Sequence, residues 1–548
     1  MKNISNTLLL GFSFLILHLN AQTLKKKKFD SKPKLIVGIV VDQMRYDYLY
    51  RYLSKYGKGG FRRLMNEGFN ETNTVYPFIP TATGPGHSCI FSGSIPALDG
   101  IIDNEWYSRS KKNIIYCVSD TSVISVGSSS PAGLMSPRNL LVTTIGDQLK
   151  LSNNFKSKVI GISQKDRASI LPAGHTANAA YWLDGKTGYF ISSSYYLKDL
   201  PEWVNEFNRK GLPSIYLNKD WDTVLPLKDY TESDPDEEPY ETIFPGEIKP
   251  TFPHQLSRID HKDFDLIRST PFGNDLTKDF TIETIKNEKL GKSGYTDLLT
   301  LSFSSTDYIG HEFGPNSIEV EDTYIRLDKD LEEILNYLDA YIGKEQVLVF
   351  LTADHGVAST VGFNLNHKIP AGLFSGVSLV TKVNDFLSNI FGKPGIIEKF
   401  SNDQFYLNYF MLENLGIKEE LVFSRLRKYL LTENGIANLV DLNHIDETNM
   451  IPDELIKIKN GYNPKRSGDF QLIMEPNWMM GRAQGTNHGT SYHYDNHVPL
   501  LWYGWKILPG KSKAISYVTD IASTLSSMLE IEEPNGSIGK VLDIPLKP

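Results

Sequence analysis

The chain lacks the cysteines of a disulfide-stabilised protein. Among its 548 residues only Cys89 and Cys117 are cysteines, which is too few to frame a chain of this length. Cys89 lies in the apolar stretch SCIFSG, where a small buried thiol is expected, and a pairing of the two remains open. The chain has instead 40% hydrophobic and 22% charged residues, which is typical of a globular protein with a large core.

The chain also lacks an excess of positive charge. Its formal net charge of −8 disfavours a general nucleic-acid binder, so we expect no nucleic acid as a structural partner. A negative total does not exclude small anionic substrates, because a pocket can be positive within an acidic protein. The sequence has no evident internal repeat. We expect the protein to be a monomer.

No segment is long and apolar enough to span a membrane. The N-terminus MKNISNTLLLGFSFLILHLNAQ has a lysine, then an apolar run that is too short for a spanning helix, then a small-residue cleavage pattern ending at Ala21. This pattern predicts a signal peptide over residues 1–21, with a buried N-terminal helix as the alternative. We therefore expect a soluble exported protein, periplasmic or secreted.

Nearly continuous apolar runs alternate with helical patterns along the rest of the chain. Such runs are typical of strands buried on both faces of a parallel sheet. The alternation predicts an α/β fold with a doubly wound, mostly parallel central sheet and helices on both faces. Two segments interrupt it, one at about 201–290, interpreted as a lid, and one at about 360–475, interpreted as an inserted subdomain; both fall within a catalytic domain over 34–548. The strand-like runs are KLIVGIVVD, KVIGIS, DLLTLSFSSTD, QVLVFLTADHG and VPLLWYGW.

Aspartates and histidines follow three of these runs at the predicted strand ends. Asp42 follows the first, Asp307 and His311 follow the third, and Asp354-His355 follows the fourth. Each alone could be a turn or a helix cap. Because the carboxyl ends of parallel strands form the ligand crevice of such sheets, their joint occurrence predicts one site, and Asp and His are ligands that suit zinc.

The segment GTNHGTSYHYDNHVPLLWYG supplies a further imidazole from a short loop, at His488. His493 and His497 are interpreted as structural, or as residues that orient the ligands from behind. The ligand count predicts two metal ions, able to stabilise the attacking and leaving oxygens of a phosphoryl transfer. One ion would be held by Asp307, His311 and His488, and the other by Asp42, Asp354, His355 and the Thr83 oxygen.

The stretch PTATGPGHS has two threonines in front of a predicted helix. Thr83, directly before Gly-Pro-Gly, could simply cap that helix. It could also be a nucleophile, since metal coordination lowers the pKa of a hydroxyl and a helix N-terminus favours phosphate. We predict the second role for Thr83 and a structural role for Thr81.

These motifs together resemble the alkaline phosphatase superfamily. VVDQMR, PTATGPGH, STDYIGH, TADHG and TNHG occur in that family's order, and the resemblance runs from about residue 34 to the C-terminus. The chain is most similar to the phosphate-irrepressible, PafA-type alkaline phosphatases, with nucleotide pyrophosphatase/phosphodiesterases as relatives. The sulfatase branch does not fit, because the surroundings of Cys89 lack its motif.

The resemblance also implies three phosphate-binding residues. The stretch DGIIDNEWY has Asn104 at the position of the family's phosphate-binding asparagine. The stretch GISQKDRASILPAGH has Lys165 and Arg167 at the positions of the family's Lys-x-Arg pair. A phosphate monoester carries one more negative charge than a diester. Two cations and an amide therefore match the monoester better. Asp103, which departs from the family pattern, is expected to face solvent.

The sequence thus predicts an exported alkaline phosphatase with two Zn²⁺ per subunit. It would hydrolyse diverse small phosphate monoesters through a phosphothreonine intermediate on Thr83, since the predicted contacts hold phosphate and not the leaving group. A phosphodiesterase or nucleotide pyrophosphatase of the same superfamily is the first alternative. A non-catalytic surface-binding protein is the second.

Overall fold

An eleven-stranded sheet lies at the centre of the protein. The structure is a computed structural model, and it describes residues 32–259 and 263–547. The predicted signal peptide lies outside the described residues. Within them, no helix combines the length and the apolar character needed to cross a membrane. Cys89 and Cys117 are both buried and unpaired, as expected of small thiols in a core.

The middle of this sheet is parallel and buried on both faces. Leu35–Val41 lies between Val347–Thr352 and Asp297–Phe303, and every residue of these three strands is buried. This burial explains why their sequences are continuous rather than alternating apolar runs. In spatial order the main strands are Phe69–Val75, His497–Gly504, Val347–Thr352, Leu35–Val41, Asp297–Phe303, Val159–Ser163, Ala179–Asp184 and Tyr189–Ser193.

Antiparallel strands extend the parallel centre on both sides. His497–Gly504 pairs antiparallel with Val347–Thr352 and with Phe69–Val75, and Tyr189–Ser193 pairs antiparallel with Ala179–Asp184. The sheet is therefore mixed but mostly parallel at its core, which confirms the predicted α/β class. Short strands complete its edges at Ser125–Val126, Gly510–Ser512 and Ser516–Tyr517.

Amphipathic helices connect the strands and pack in the same core. The longest, Ile318–Tyr341, begins at Ser317, whose side chain accepts a hydrogen bond from the Val320 N–H, and it buries Leu327 and Leu331. The other helices of seven or more residues before the inserted segment are Phe61–Glu67, Thr83–Ser92, Ile145–Ser152, Asp166–Ala173, Glu202–Arg209, Phe272–Asn287 and Ser305–Phe313, and Asp520–Leu529 follows it. Phe272–Asn287 ends the segment 201–290 and contributes Phe280 to the central core.

The segment 360–475 forms a second, smaller sheet with its own apolar cluster. Its four strands, in spatial order, are Ile397–Ser401, Gln404–Leu407, Phe470–Met474 and Ile436–Asp441. Its helices of seven or more residues are Gly376–Phe391, Tyr409–Leu415, Glu419–Leu430 and Pro452–Gly461. The first two strands are joined by a tight turn in which Asn402 and Asp403 have φ of 56° and 55°, the left-handed conformation of a two-residue hairpin.

Candidate active site

Three aspartates meet at the carboxyl edge of the parallel strands. Asp42 directly follows Leu35–Val41, Asp354 lies two residues beyond Val347–Thr352, and Asp307 is in the first turn of the helix after Asp297–Phe303. Their exposed fractions are 0%, 0% and 4%. Burying three carboxylates together is unfavourable without compensating positive charge.

The first predicted metal group is assembled in the structure. The Nε2 atom of His311 lies 3.3 Å from Asp307 Oδ1, and that of His488 lies 3.8 Å from the same oxygen. Asp307 and His311 are one helical turn apart, whereas His488 arrives from the loop before His497–Gly504. One ligand atom from each of the three residues lies within 4.8 Å of the others.

The second group shares Asp42 and His355 with the predicted set and also includes Asp307. Ligand atoms of Asp42, Asp307 and His355 lie within 4.8 Å of one another, so Asp307 borders both groups. Asp354 is adjacent, with its Oδ2 3.5 Å from His355 Nε2, and Asp42 Oδ1 is 3.6 Å from the same nitrogen. Asp42, Asp307, Asp354 and His355 therefore form one continuous cluster with His311 and His488, which we call the cradle.

The hydrogen bonds of the three histidines suit metal ligation. Each Nδ1 lies against a backbone carbonyl: His311 at 2.9 Å from Thr486, His355 at 2.9 Å from Gly356 and His488 at 2.7 Å from Thr81. The Nδ1 atoms must donate there, which leaves the Nε2 lone pairs facing carboxylate oxygens. Two facing acceptors repel each other unless a cation lies between them, so the residues fit a metal, and the Asp/His donor set fits zinc.

Burial keeps two of these imidazoles neutral. Burial lowers the pKa of His488 well below its ordinary value, and the nearby His355 and His311 lower it further. Burial also lowers the pKa of His355. His355 Nε2 is buried without a hydrogen-bond partner, as expected of an atom arranged to bind a cation.

Lys165 supplies positive charge at the boundary of the two groups. Its Nζ lies 2.7 Å from Asp42 Oδ2 and 2.5 Å from Asp307 Oδ2. Burial alone would lower the pKa of Lys165, but the charges of Asp307 and Asp42 raise it above its ordinary value. The same Nζ lies 3.5 Å from the Thr83 hydroxyl, so the lysine stays charged beside that oxygen.

Thr83 is the first residue of the buried helix Thr83–Ser92. Its side chain is 1% exposed, and its Oγ1 lies 3.4 Å from Arg167 Nη2. Thr81 has a different role, since its hydroxyl donates to the Thr490 carbonyl and its own carbonyl receives the His488 Nδ1–H. Thr83 therefore lies beside the two cations, whereas Thr81 contacts the loop that carries Thr490 and His488.

Asn104 and Arg167 also lie close to Thr83, and Arg167 belongs to the helix that follows the strand Val159–Ser163. The Asn104 side-chain oxygen accepts the Gly84 N–H at 2.8 Å, which leaves its two amide N–H donors free. Arg167 Nη1 is held by the Tyr116 hydroxyl at 3.2 Å, and Arg167 Nε is buried with no hydrogen-bond partner. The unused donors around Thr83 Oγ1 are suited to an anion with several oxygens.

Sequence reasoning missed three residues that position this machinery. Gln43 donates from its backbone N–H to Asp354 Oδ1 at 3.1 Å and from Nε2 to Asp307 Oδ1 at 2.8 Å. His87 Nδ1 lies 3.2 Å from Asp354 Oδ2, and Tyr116 holds Arg167. Gln43 could have been found from its place directly after Asp42. Tyr116 carries no local signal.

Two minor expectations can also be compared with the structure. Asp103 was expected to face solvent, and this is wrong: it is half-buried and its Oδ1 accepts the Asn104 N–H at 2.6 Å, because the chain turns sharply there to present Asn104. His497 packs on the Tyr46 ring at 4.5 Å and bonds to the Thr72 carbonyl. His493 is exposed.

Comparison with known proteins places this site in a family. The sequence pattern of the type I phosphodiesterase / nucleotide pyrophosphatase family matches residues 36–497. The alkaline phosphatase PhoV of Synechococcus elongatus is 48% identical over 94% of this chain and 94% of its own length. A protein of Myroides odoratus named calcium-transporting ATPase is 47% identical over 93% of this chain and 94% of its own.

A third relative has a solved structure. The alkaline phosphatase PafA of Elizabethkingia meningoseptica is 45% identical over 93% of this chain and 94% of its own length. A crystal structure of alkaline phosphatase PafA matches with a TM-score of 0.92 at 44% identity, covering 94% of this chain and all of that one. The chain therefore belongs to the type I phosphodiesterase / nucleotide pyrophosphatase family and, with these relatives, to the alkaline phosphatase superfamily.

Proposed function

We propose that this protein is an exported alkaline phosphatase that hydrolyses phosphate monoesters through a phosphothreonine intermediate, with two zinc ions per subunit. The observation that carries the proposal is the position of the Thr83 hydroxyl. It lies at a helix N-terminus within 3.5 Å of Lys165 Nζ and 3.4 Å of Arg167 Nη2, and Lys165 in turn contacts the buried carboxylates of Asp42 and Asp307. The alkaline phosphatase relatives support the same activity.

The residues present fit two adjacent metal sites. Asp307, His311 and His488 would hold one ion, and Asp42, Asp354, His355 and the Thr83 oxygen would hold the other. When bound, two zinc ions lower the pKa of the nucleophile and stabilise charge on the attacking and leaving oxygens.

The chain's own groups account for substrate binding and the nucleophile. Thr83 Oγ1 is the atom that forms the bond to phosphorus, and the adjacent helix N-terminus favours the negative phosphoryl group. The amide of Asn104, the ammonium of Lys165 and the guanidinium of Arg167 are placed to hold the non-bridging oxygens. Donors fixed in a buried site stabilise the transition state without reorganisation.

The balance of charge favours monoesters over diesters. A monoester dianion has three terminal oxygens for the amide and the two cations, whereas a diester has two and one charge less. A second crystal structure of the PafA relative carries substitutions of a threonine, an asparagine, a lysine and an arginine, the same four residue types in the same chain order as Thr83, Asn104, Lys165 and Arg167. That correspondence supports these four as one functional unit.

Export, domain organisation and assembly complete the proposal. The charged, apolar and small-residue regions of the N-terminus support a signal peptide over residues 1–21 and a periplasmic or secreted location. The separate sheet and apolar cluster of the segment 360–475 support its being an inserted subdomain, and the segment at about 201–290 is proposed as the other insertion. We propose a monomer that acts on diverse small phosphate monoesters.

One assay with metal analysis tests the proposal. The purified zinc-loaded protein is compared on an aryl phosphate monoester and on the matched methyl aryl diester. We expect two zinc ions per chain and a clear preference in kcat/KM for the monoester. A diester preference above about tenfold would identify a phosphodiesterase, and absence of both activity and bound metal would identify a non-catalytic protein.

A further inference from the structure

The imidazole rings of His355 and His488 stack on each other, although they belong to different metal groups. Their centroids lie 3.6 Å apart and their planes are inclined by 17°. Both rings are held on the Nδ1 side, where they donate to the carbonyls of Gly356 and Thr81. Because the place of one ring limits the place of the other, the spacing of the two metal groups depends on whatever holds both rings.

His488 depends on such support more than the other members of the first group do. Asp307 and His311 lie on one helix, whose backbone hydrogen bonds fix their relative position. His488 lies instead in the irregular loop that precedes the short helix His493–Asn496. Loops vary more in position than helices, so the contacts of this loop decide where His488 Nε2 points.

The carboxylate of Asp495 fixes this loop from inside the protein. The residue is 0% exposed, and its Oδ2 accepts the Thr490 N–H at 2.8 Å and the Thr490 hydroxyl at 2.5 Å. The Thr490 carbonyl accepts the Thr81 hydroxyl at 3.1 Å, and the Thr81 carbonyl accepts the His488 Nδ1–H at 2.7 Å. A continuous chain of hydrogen bonds therefore runs from the carboxylate to the ring of His488, and its first two bonds are of the strong, charge-assisted kind.

The main chain of Asp495 supports the second group. Its carbonyl accepts the Gly356 N–H at 2.6 Å, and the Gly356 carbonyl accepts the His355 Nδ1–H at 2.9 Å. The neighbouring Tyr494 carbonyl accepts the Val357 N–H at 2.8 Å, which ties the two segments together a second time. One residue thus reaches both stacked rings, one through its side chain and the other through its main chain.

We propose that Asp495 is a positioning residue that sets the spacing of the two metal groups and holds His488 in place for the first of them. The inference rests on the proposed two-zinc function and adds a residue outside the ligand and phosphate-binding sets. Removing a hydrogen-bond partner behind a metal ligand typically lowers metal affinity by about 10–100-fold. A change of the Asp495 side chain should weaken the first group alone, because the carbonyl that holds Gly356 belongs to the main chain.

The test resolves zinc binding into its two steps in the native protein and in Asp495→Asn. The purified holoenzyme is equilibrated with buffers of decreasing free zinc, and the zinc retained per chain is measured together with the unfolding temperature. His488→Ala identifies which step belongs to the first group. Asparagine has nearly the shape of aspartate but no charge, so we expect about tenfold weaker binding in the first-group step and a change within twofold in the other.

Variants of Thr490 test the route from the carboxylate to the ring. Thr490→Val lacks the hydroxyl that donates to Asp495, and about fivefold weaker binding is expected in the same step. Thr490→Ser keeps the hydroxyl and should bind zinc within twofold of native. Thr490→Val combined with Asp495→Asn should weaken binding by less than the product of the two single effects, because both changes act on one hydrogen bond.

Asp147→Asn is the matched control for the loss of a buried carboxylate. Asp147 is 1% exposed and accepts the N–H and the hydroxyl of Thr176 at 2.7 and 2.8 Å, the same pair of bonds that Asp495 makes to Thr490. This variant should lower the unfolding temperature and retain both zinc steps at native affinity.

Four results would overturn the inference. They are equal weakening of both steps, first-group binding within twofold of native in either Asp495→Asn or Thr490→Val, a double variant that shows the full product of the single effects, and a selective loss of the first-group step in Asp147→Asn. A native protein that binds no zinc would overturn the proposed function instead.

Discussion

Replacing Arg167 with alanine should separate monoester from diester hydrolysis. Arg167 Nη2 lies 3.4 Å from the Thr83 hydroxyl and its buried Nε has no protein partner, so two N–H groups are available to the transferring phosphoryl group. A hydrogen bond to a charged group contributes about 1.5 kcal/mol or more. Two such bonds amount to about 3 kcal/mol, or a loss of about a hundredfold in kcat/KM for a monoester.

A diester should lose much less from the same change. It lacks one of the charged terminal oxygens, so we expect at most about a tenfold loss in its kcat/KM. The assay measures both substrates with the same aryl leaving group for the native enzyme and Arg167→Ala. Tyr116→Phe provides a graded control, because it removes only the hydroxyl that holds Nη1 at 3.2 Å, and about a fivefold monoester loss is expected.

Two results would refute this reasoning. Equal losses on monoester and diester would mean that Arg167 acts through general positioning of the site and not through the extra charged oxygen. A larger loss for Tyr116→Phe than for Arg167→Ala would mean that Tyr116 does more than hold the guanidinium. Metal content is measured in each variant, so that a loss of metal is not mistaken for a loss of phosphate binding.

Further consequences concern the metals, the helix and the histidine outside the site. Removing metal with a chelator should abolish activity and lower the melting temperature by about 5 °C or more, and zinc should restore both; activity that survives complete metal removal would contradict the metal assignment. Gly86→Ala should lower thermal stability by about 1–3 kcal/mol and reduce activity, because an added Cβ would lie 2.3 Å from the Asp354 carbonyl oxygen; native stability would show that the helix can move. Burial alone would lower the pKa of His254, but hydrogen bonds from the ring to Glu247 and Glu319 raise it from 6.5 to about 9. Below about pH 6.5 the charged His254 contributes its full stabilisation of the folded state, about 3 kcal/mol. This contribution is lost as the pH rises through about 9. The difference in unfolding free energy between native protein and His254→Asn should shrink over that range, and a constant difference would contradict the charged pair.

The strand-end residues of the site could be predicted because their signal is local. Asp42 and Asp354 follow continuous apolar runs, and the geometry of a parallel sheet brings such strand ends to one edge. The sharing of Asp307 between both metal groups could not be predicted, since it depends on distances of a few ångströms between side chains of separate elements. Ligand types are thus visible in the sequence, whereas their grouping is not.

The residues that hold the site together were harder to find. Tyr116 lies in a short hairpin strand and reaches Arg167 from 51 positions away along the chain. Asp103 was expected to face solvent because a charged residue in a loop usually does, but the turn that presents Asn104 also turns Asp103 inward. The hydrogen bond from the Asn402 side chain to the Glu105 carbonyl joins segments 297 residues apart along the chain. No local sequence pattern indicates such a contact.

The most direct test of the account is the activity and metal content of Thr83→Ala. The change removes the hydroxyl together with the γ-methyl group, and the side chain lies in a buried position that alanine can occupy. We predict a folded protein that binds zinc and has lost at least about a thousandfold of its monoesterase kcat. Monoesterase activity within tenfold of the native enzyme, in protein of normal metal content, would contradict the assignment of Thr83 as the nucleophile.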